Sequence, residues 1–202
     1  MSLKPPPRAL NSLSLATRTV PASALYRVSR FASGEPFFGR TASNRFDDRS
    51  LPRSGRFGTC YFGLDLQTAI AETVLHDAVA VRGKFSVPWD ELASRQLVRL
   101  KGGTPLVLAD LTGVALKTLG GEGSLSTITP YRLAQSWAMA VQHHPQQVDG
   151  ILYMSRHLND RQAVVVFNRA SAKLGAAAYT PLPRARGVME AVAGLRISFD
   201  YP

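Results

Sequence analysis

A strand, a turn and a helix follow one another within residues 56–77, and this unit constrains the fold more than any other part of the chain. Its β-branched and aromatic run at 59–62 predicts a short strand, which Gly63 ends. Asp65 then stands where a helix N-cap is expected. After it, side chains recur at the spacing of a core-facing helical stripe, namely Leu66, Ala69, Ile70, Thr73 and Val74. We therefore expect the rest of the chain to pack around a strand-turn-helix unit.

One acid, Glu72, lies beside this apolar stripe, between Ala71 and Leu75. Burying a carboxylate without a partner is costly, so Glu72 either points to water or faces a cation or a binding site. Acids are rarely buried, so a solvated helix glutamate is the ordinary alternative.

The composition favours one basic domain. The chain has 202 residues, of which 45% are hydrophobic, and such a length suits a single core. Lys and Arg number 24 against 14 Asp and Glu, which gives a formal charge of +10. Arginine supplies most of this charge, and its planar guanidinium suits phosphate or carboxylate groups. A polyanion or an acidic protein is therefore the expected partner.

Cysteine and histidine usage argues against disulfides and metal sites. Cys60 is the only cysteine, and the pair His143–His144 lacks a third ligand at metal spacing. No apolar run approaches the ~18 residues of a membrane helix. We therefore expect a cytoplasmic protein in a reducing compartment, without metal and without membrane association.

The chain divides into an arm and a domain. Residues 1–22 are rich in Pro and Ser, carry no acid and predict a flexible basic arm, and residues 23–202 are expected to form the domain. A strand at 24–28 carries Arg27, and a long loop with interleaved Arg and Phe follows up to residue 58.

The second half predicts further short strands at 79–87, 97–100, 106–108, 151–154 and 163–168, and helices at 110–120, 131–143 and 189–195. The strands at 151–154 and 163–168 predict a hairpin, with Ser155 at the end of its first strand. Because helices and strands do not alternate in βαβ order, the fold class is α+β.

Several separate motifs resemble the RES-domain family in their order and spacing. They are Tyr26-Arg27, FFG at 37–39, NRFDD at 44–48, GTCYFG at 58–63, IAET at 70–73, LADLTG at 108–113 and DGILYMSR at 149–156. The resemblance covers roughly residues 24–168. The Arg, Glu and Ser for which the family is named fall on Arg27, Glu72 and Ser155.

This resemblance implies a fold similar to the ADP-ribosyltransferases: a single domain of mixed and antiparallel sheets with surrounding helices. It also implies a toxin of a bacterial toxin-antitoxin pair that consumes NAD. The expected function is cleavage of the nicotinamide–ribose bond, with water or phosphate as acceptor. The enzymatic alternative is transfer of ADP-ribose to a protein.

The implied site has three catalytic candidates and three further binding residues. Arg27 is expected to hold the pyrophosphate, and Glu72 to stabilise the oxocarbenium-like ribose. Ser155 is expected to orient the substrate rather than to act as a nucleophile, because no base lies at a known spacing from it. Tyr61 is expected to stack on nicotinamide, with Arg45 and Tyr26 as second-rank contacts.

Arg27 has a structural alternative, an ion pair with a buried acid such as Asp110 or Asp149. The basic loop also leaves open a nucleic-acid-binding module whose phenylalanines stack on bases. The resemblance itself implies no direct nucleic-acid binding. The partner that it implies is an acidic antitoxin with a helix-turn-helix DNA-binding part, and it leaves homo-oligomerisation open.

Overall fold

A computed structural model describes residues 3–200 of the chain. Its strands are β1 (Thr17–Val20), β2 (Tyr26–Ser29), β3 (Thr59–Gly63), β4 (Phe85–Pro88), β5 (Gln96–Lys101), β6 (Leu106–Asp110), β7 (Gly150–Met154), β8 (Gln162–Phe167), β9 (Ala176–Pro181) and β10 (Ile197–Asp200). Its α-helices are α1 (Leu66–Ala71), α2 (Trp89–Ala93), α3 (Gly113–Thr118), α4 (Arg132–Gln142) and α5 (Val188–Gly194). Short 3₁₀ turns connect several of them.

Eight strands form one mixed sheet in the order β1-β6-β7-β8-β3-β2-β5-β9. All neighbours are antiparallel except β6 and β7, which run parallel. A separate parallel pair joins β10 to β4. The fold is thus a mixed single domain with one large sheet and several helices, which confirms the predicted α+β class.

The strand-turn-helix unit forms as predicted. Asp65 Oδ1 accepts a 2.8 Å hydrogen bond from the backbone N–H of Thr68, which is an N-cap contact. At Gly63, an added Cβ would lie 2.7 Å from the nitrogen of Ala69, so the turn from β3 into α1 excludes a side chain. The helix is shorter than the apolar stripe and ends at Glu72, its C-cap residue.

The segment before residue 23 differs from the expected flexible arm. Leu3, Leu10 and Leu15 are buried in the core beside Trp137, and the N–H of Trp137 donates to the carbonyl of Lys4. Strand β1 pairs with β6 at the edge of the large sheet. These leucines follow no helical or strand period, so only the tertiary packing shows that they belong to the core.

Several other helices and strands differ from their predicted ranges. The strand predicted at 79–87 is confined to β4, and residues 81–84 form a tight turn. Strands β9 and β10 and helix α2 carried no clear pattern and were not predicted. The predicted hairpin exists as β7 and β8, and helix α4 lies within the predicted range of 131–143.

Two adjacent buried carboxylates order the long loop before β3. Asp47 accepts hydrogen bonds from the Thr59 hydroxyl at 2.6 Å and from the Tyr61 hydroxyl at 2.9 Å. Asp48 accepts from the backbone N–H groups of Ser50 and Phe57. The loop is therefore fastened to β3 through Asp47.

Candidate active site

A cleft opens where β2 and β3 separate. The described parts of these strands share one paired position, Tyr26 with Gly63, and then diverge. The cleft has a volume of about 840 Å³, and α1, the long loop and Tyr131, which precedes α4, also contribute to its walls. Five of the six site residues predicted from the sequence line it, namely Tyr26, Arg27, Arg45, Tyr61 and Glu72. A splayed pair of strands thus supplies a concave site of substrate size.

The sixth predicted residue, Ser155, contacts Glu72 directly. Its Oγ donates a 2.6 Å hydrogen bond to Glu72 Oε1, although the two residues are 83 positions apart. Ser155 Oγ also accepts from the backbone N–H groups of His157, at 3.2 Å, and Leu158, at 3.1 Å. Ser155 is 1% exposed and lies outside the cleft lining. Its hydroxyl is therefore positioned to orient the carboxylate of Glu72 rather than a bound molecule.

Arg27 bridges the gap between the diverging strands. Its Nη1 donates to the Tyr61 carbonyl on β3 at 3.1 Å, and its Nε forms a 2.8 Å ion pair with Glu35. The Arg27 side chain is 23% exposed and that of Glu35 is 1% exposed. Burial opposes the charge of Arg27, but Cys60 and Glu35 act in the other direction and raise its pKa. Arg27 Nη2 has no hydrogen-bond partner among residues 3–200 and remains available to a ligand.

The acids expected as structural partners of Arg27 are occupied elsewhere. Asp110 lies 3.7 Å from Arg18, and Asp149 forms a 2.8 Å pair with Lys173. The actual partner, Glu35, was not predicted, because it lies in an irregular loop that carries no periodic signal. Burial raises the pKa of Glu35, but Arg27 and the Ser29 hydroxyl outweigh it and lower the pKa overall.

Tyr61 presents its ring to the cleft while its hydroxyl is engaged in the fold. The hydroxyl donates to Asp47 at 2.9 Å and accepts the N–H of Phe46 at 3.0 Å. Burial, and then the Asp47 charge, raise the pKa of Tyr61 well above its usual value. The phenol is therefore neutral and fixed, as an aromatic stacking surface requires.

Tyr26 is backed by an arginine on the neighbouring strand. The Arg99 guanidinium lies 3.5 Å from the centroid of the Tyr26 ring, and its Nη2 donates to the carbonyl of Ser23. Tyr26 and Arg99 are direct cross-strand partners on β2 and β5. This cation–π contact fixes the Tyr26 ring at the cleft wall.

A second group of cleft residues surrounds Tyr131, which precedes α4. Arg45 lies over the Tyr131 ring at 4.5 Å and donates to the Ile128 carbonyl at 2.7 Å. Arg156 Nη1 donates to the Tyr131 hydroxyl at 3.4 Å. Of these residues, the sequence had indicated only Arg45 as a site residue, because the contacts depend on three distant segments.

Two histidines complete the rim near Glu72. The rings of His76 and His157 lie 5.5 Å apart, and the Nε2 of His157 is buried without a hydrogen-bond partner among the described residues. Burial lowers the pKa of His157, with Arg156 and His76 acting in the same direction and Glu72 opposing them. Neither histidine was a candidate from the sequence, since no spacing rule links them.

The loop phenylalanines do not form a base-stacking surface. Phe46 and Phe57 are buried in the core, and Phe57 packs against Phe167. Phe31 and Phe37 are exposed, but they are six positions apart and Phe38 between Phe37 and the buried rings is half-buried, so the loop does not present the successive platforms of a single-strand binder. The main argument for a nucleic-acid-binding module, a series of loop phenylalanines that stack on bases, is therefore removed.

Residues 3–200 contain no group of three His, Cys, Asp or Glu side chains arranged to hold a metal ion. Within the same range, no helix is long and apolar enough to cross a membrane.

Known proteins resemble this chain in sequence and in fold. The chain is 30% identical over 105 residues to the probable toxin y4kH of Sinorhizobium fredii (strain NBRC 101917 / NGR234), a match that covers 52% of this chain and 82% of that protein. The crystal structure of the M. tuberculosis MbcT-MbcA toxin-antitoxin complex has a similar fold, with a TM-score of 0.55. That match is 16% identical and covers 93% of this chain and 98% of the other, so it supports the fold alone.

The RES domain model matches residues 24–185, a range that contains Arg27, Glu72 and Ser155. The family indicated by the sequence motifs is thereby confirmed. Because the match spans most of the chain and includes β2, β3 and α1, which form the cleft, this chain belongs to the RES domain family.

Proposed function

We propose that this chain is the toxin of a toxin-antitoxin pair and that it cleaves the nicotinamide–ribose bond of NAD. The observation that carries the proposal is the 2.6 Å hydrogen bond that fixes Glu72 at the wall of the cleft. The cleft volume of about 840 Å³ lies within the range of small-molecule sites, which run from about 300 to 1,000 Å³. All residues assigned to NAD in this proposal lie within residues 23–202.

The reaction breaks the bond between ribose C1′ and the nicotinamide nitrogen, and the electron pair of that bond neutralises the leaving ring. Positive charge then develops on the ribose as an oxocarbenium-like species. An oriented carboxylate stabilises that charge where it forms, which is the role of Glu72. An acceptor oxygen bonds to C1′ and its proton passes to solvent. Water yields ADP-ribose, and phosphate yields the 1-phosphate ester of ADP-ribose.

Ser155 serves this step through Glu72. The Ser155 hydroxyl donates a hydrogen bond to the Glu72 carboxylate, and its oxygen accepts hydrogen bonds from two backbone N–H groups. Ser155 is therefore poorly suited to act as a nucleophile. Ser155 is therefore a positioning residue that maintains one orientation of Glu72.

The remaining residues bind the substrate in this proposal. Arg27 directs its free Nη2 to the pyrophosphate, and the rigid ring of Tyr61 stacks on nicotinamide. Tyr26 adds a second wall, supported from behind by Arg99. NAD enters as substrate, and no metal takes part in the proposed chemistry.

The proposed partner is an acidic antitoxin with a helix-turn-helix DNA-binding part. The similar proteins include a probable toxin and a toxin-antitoxin complex, which supports a partner of this kind. The charge of +10 favours an acidic surface on it. The proposal includes a cytoplasmic location, because NAD and the lone, reduced Cys60 both suit that compartment.

Purified protein incubated with NAD, with and without phosphate, tests the chemistry. We expect release of nicotinamide by the wild type, with the products separated by chromatography to identify the acceptor. The matched control is Glu72→Gln, which keeps the size of the side chain and a hydrogen-bonding oxygen. Intact NAD after hours under both conditions, from protein with a cooperative melting transition, would refute the proposal.

Expression in bacteria tests the toxin role. We expect loss of cellular NAD and of viability when the chain is expressed alone. Both should recover when the acidic antitoxin proposed as its partner is coexpressed. The Glu72→Gln variant should be tolerated while still forming the complex. Normal growth and normal NAD with soluble wild-type protein would exclude a toxin of this kind.

A further inference from the structure

Two arginines meet at one aromatic ring on the cleft wall. Arg45 stacks on the face of Tyr131 at 4.5 Å, and Arg156 donates to its hydroxyl at 3.4 Å. The three residues come from the long loop, from the segment before α4 and from the end of β7. All three line the same cleft as Glu72. Their convergence is therefore a property of the fold and of no single motif.

Neither arginine is neutralised by a carboxylate. Within residues 3–200, neither Arg45 nor Arg156 forms an ion pair, although the chain has several such pairs elsewhere. Arg45 is nevertheless buried, and it donates to the carbonyl of Ile128. Burial, and with it the Arg156 charge, lower the pKa of Arg45, although Tyr131, Tyr153 and Glu72 act in the opposite direction. Two cations that repel each other in a partly dry site are stabilised by an anion placed between them.

We propose that Arg45 and Arg156, held by Tyr131, form a phosphate-binding subsite in the cleft, with contacts distinct from those of the Arg27–Glu35 pair. The inference rests on the proposed function and adds a second anion contact to it. Arg27 uses two of its donors inside the protein, whereas Arg45 uses one and Arg156 donates only over 3.4 Å to a hydroxyl. The donors left over on the arginine pair suit the oxygens of a phosphate group.

The stacked arrangement explains why phosphate fits better than a carboxylate ligand. The Tyr131 ring holds the planar Arg45 guanidinium in place, so the conformational freedom of this side chain is already restricted before a ligand binds. A tetrahedral phosphate group has terminal oxygens that point in different directions, so it can accept from two guanidinium groups that approach from different directions. The phosphate can be part of the dinucleotide, or it can be the free ion that accepts the ribose.

Calorimetric titration of the full chain with ADP and, separately, with inorganic phosphate tests the subsite at constant ionic strength. The variant is Arg156→Gln, because Arg156 is exposed and its removal should leave the melting temperature nearly unchanged. The matched control is Arg53→Gln, which removes the same charge from an exposed arginine outside the cleft lining. Binding requires no turnover, so the result does not depend on whether NAD is cleaved.

We expect Arg156→Gln to weaken binding of one probe by about tenfold or more, while Arg53→Gln changes neither by more than about twofold. A loss confined to ADP assigns the subsite to the dinucleotide, and a loss confined to phosphate assigns it to the acceptor. Equal effects of the two variants, or none, would overturn the subsite. Glu72→Gln removes a negative charge from the same cleft and should weaken binding of neither probe, which separates this result from a failure of the catalytic proposal.

Discussion

Ser155 Oγ lies 2.6 Å from Glu72 Oε1, and this contact joins the end of β7 to the end of α1 across 83 residues of sequence. Two backbone N–H groups hold the serine oxygen from the other side. The carboxylate therefore has one fixed direction at the cleft wall. Preorganisation of this kind is what electrostatic stabilisation of a developing charge requires.

Removing the serine hydroxyl tests that relationship. We expect Ser155→Ala to lower kcat for NAD cleavage by about 10- to 100-fold, the worth of one charge-assisted hydrogen bond, with little change in KM. Glu72→Gln should cost more, about 10²- to 10³-fold. Steady-state kinetics on both variants provides the measurement.

The double variant supplies the control for Ser155. If the serine acts only through Glu72, adding Ser155→Ala to Glu72→Gln should reduce kcat no further. Fully additive losses would instead indicate that Ser155 contributes independently, for example by contacting the substrate.

The Arg27–Glu35 pair gives the second prediction. Replacing Arg27 with Ala leaves Glu35 buried without its cation, and such a loss costs about 3 kcal/mol of unfolding free energy. This is the lower end of the usual range, because the Arg27 side chain is 23% exposed. Arg27→Lys should keep part of the stability but weaken NAD binding by about tenfold or more, since the guanidinium fork is lost.

Urea unfolding and NAD titration of both Arg27 variants distinguish the two roles of the side chain. A large stability loss with unchanged NAD affinity would make Arg27 purely structural. Unchanged stability in Arg27→Ala would show that the pair with Glu35 is not formed in solution.

Glu35 makes the stability depend on pH in a defined direction. Its pKa in the folded protein is below the ordinary value of 4.5, so it contributes stability above that value and loses it as the pH falls through the folded pKa. We expect the stability difference between wild type and Glu35→Gln to be constant at neutral pH and to shrink below about pH 4.5. Urea unfolding over pH 3 to 7 measures it, and a difference that grows on acidification would contradict the assignment.

The catalytic unit could be predicted because its signals are local. Gly63 and Asp65 are part of the turn that they specify. The apolar stripe of α1 can be identified from its spacing alone, without knowledge of any distant residue. The site residues were predicted from the order and spacing of the family motifs, because hydrophobic periodicity indicates helices and strands but not functional residues. Five of them line one cleft, but their assigned catalytic and binding roles stay predictions.

The contacts that complete the site could not be read from the sequence. Asp47 and Glu35 are loop acids whose burial depends on Tyr61 and Arg27, and Tyr131 meets Arg156 only when α4 packs beside β7. The N-terminal segment was missed for the same reason: its leucines are spaced irregularly and are buried only by the sheet that they cover. Tertiary contacts, rather than local propensity, decide such positions.

Tyr61 allows the ring and the hydroxyl to be tested separately. Tyr61→Phe keeps the aromatic surface at the cleft but removes the donor to Asp47, a buried carboxylate, and the acceptor of the Phe46 N–H. We expect this variant to lose about 1 to 3 kcal/mol of unfolding free energy while its KM for NAD stays within about twofold. Tyr61→Leu, the matched apolar control, removes the stacking surface as well and should raise KM. Both are measured by urea unfolding and NAD kinetics. A raised KM in Tyr61→Phe at full stability would mean that the hydroxyl, rather than the ring, contacts the substrate.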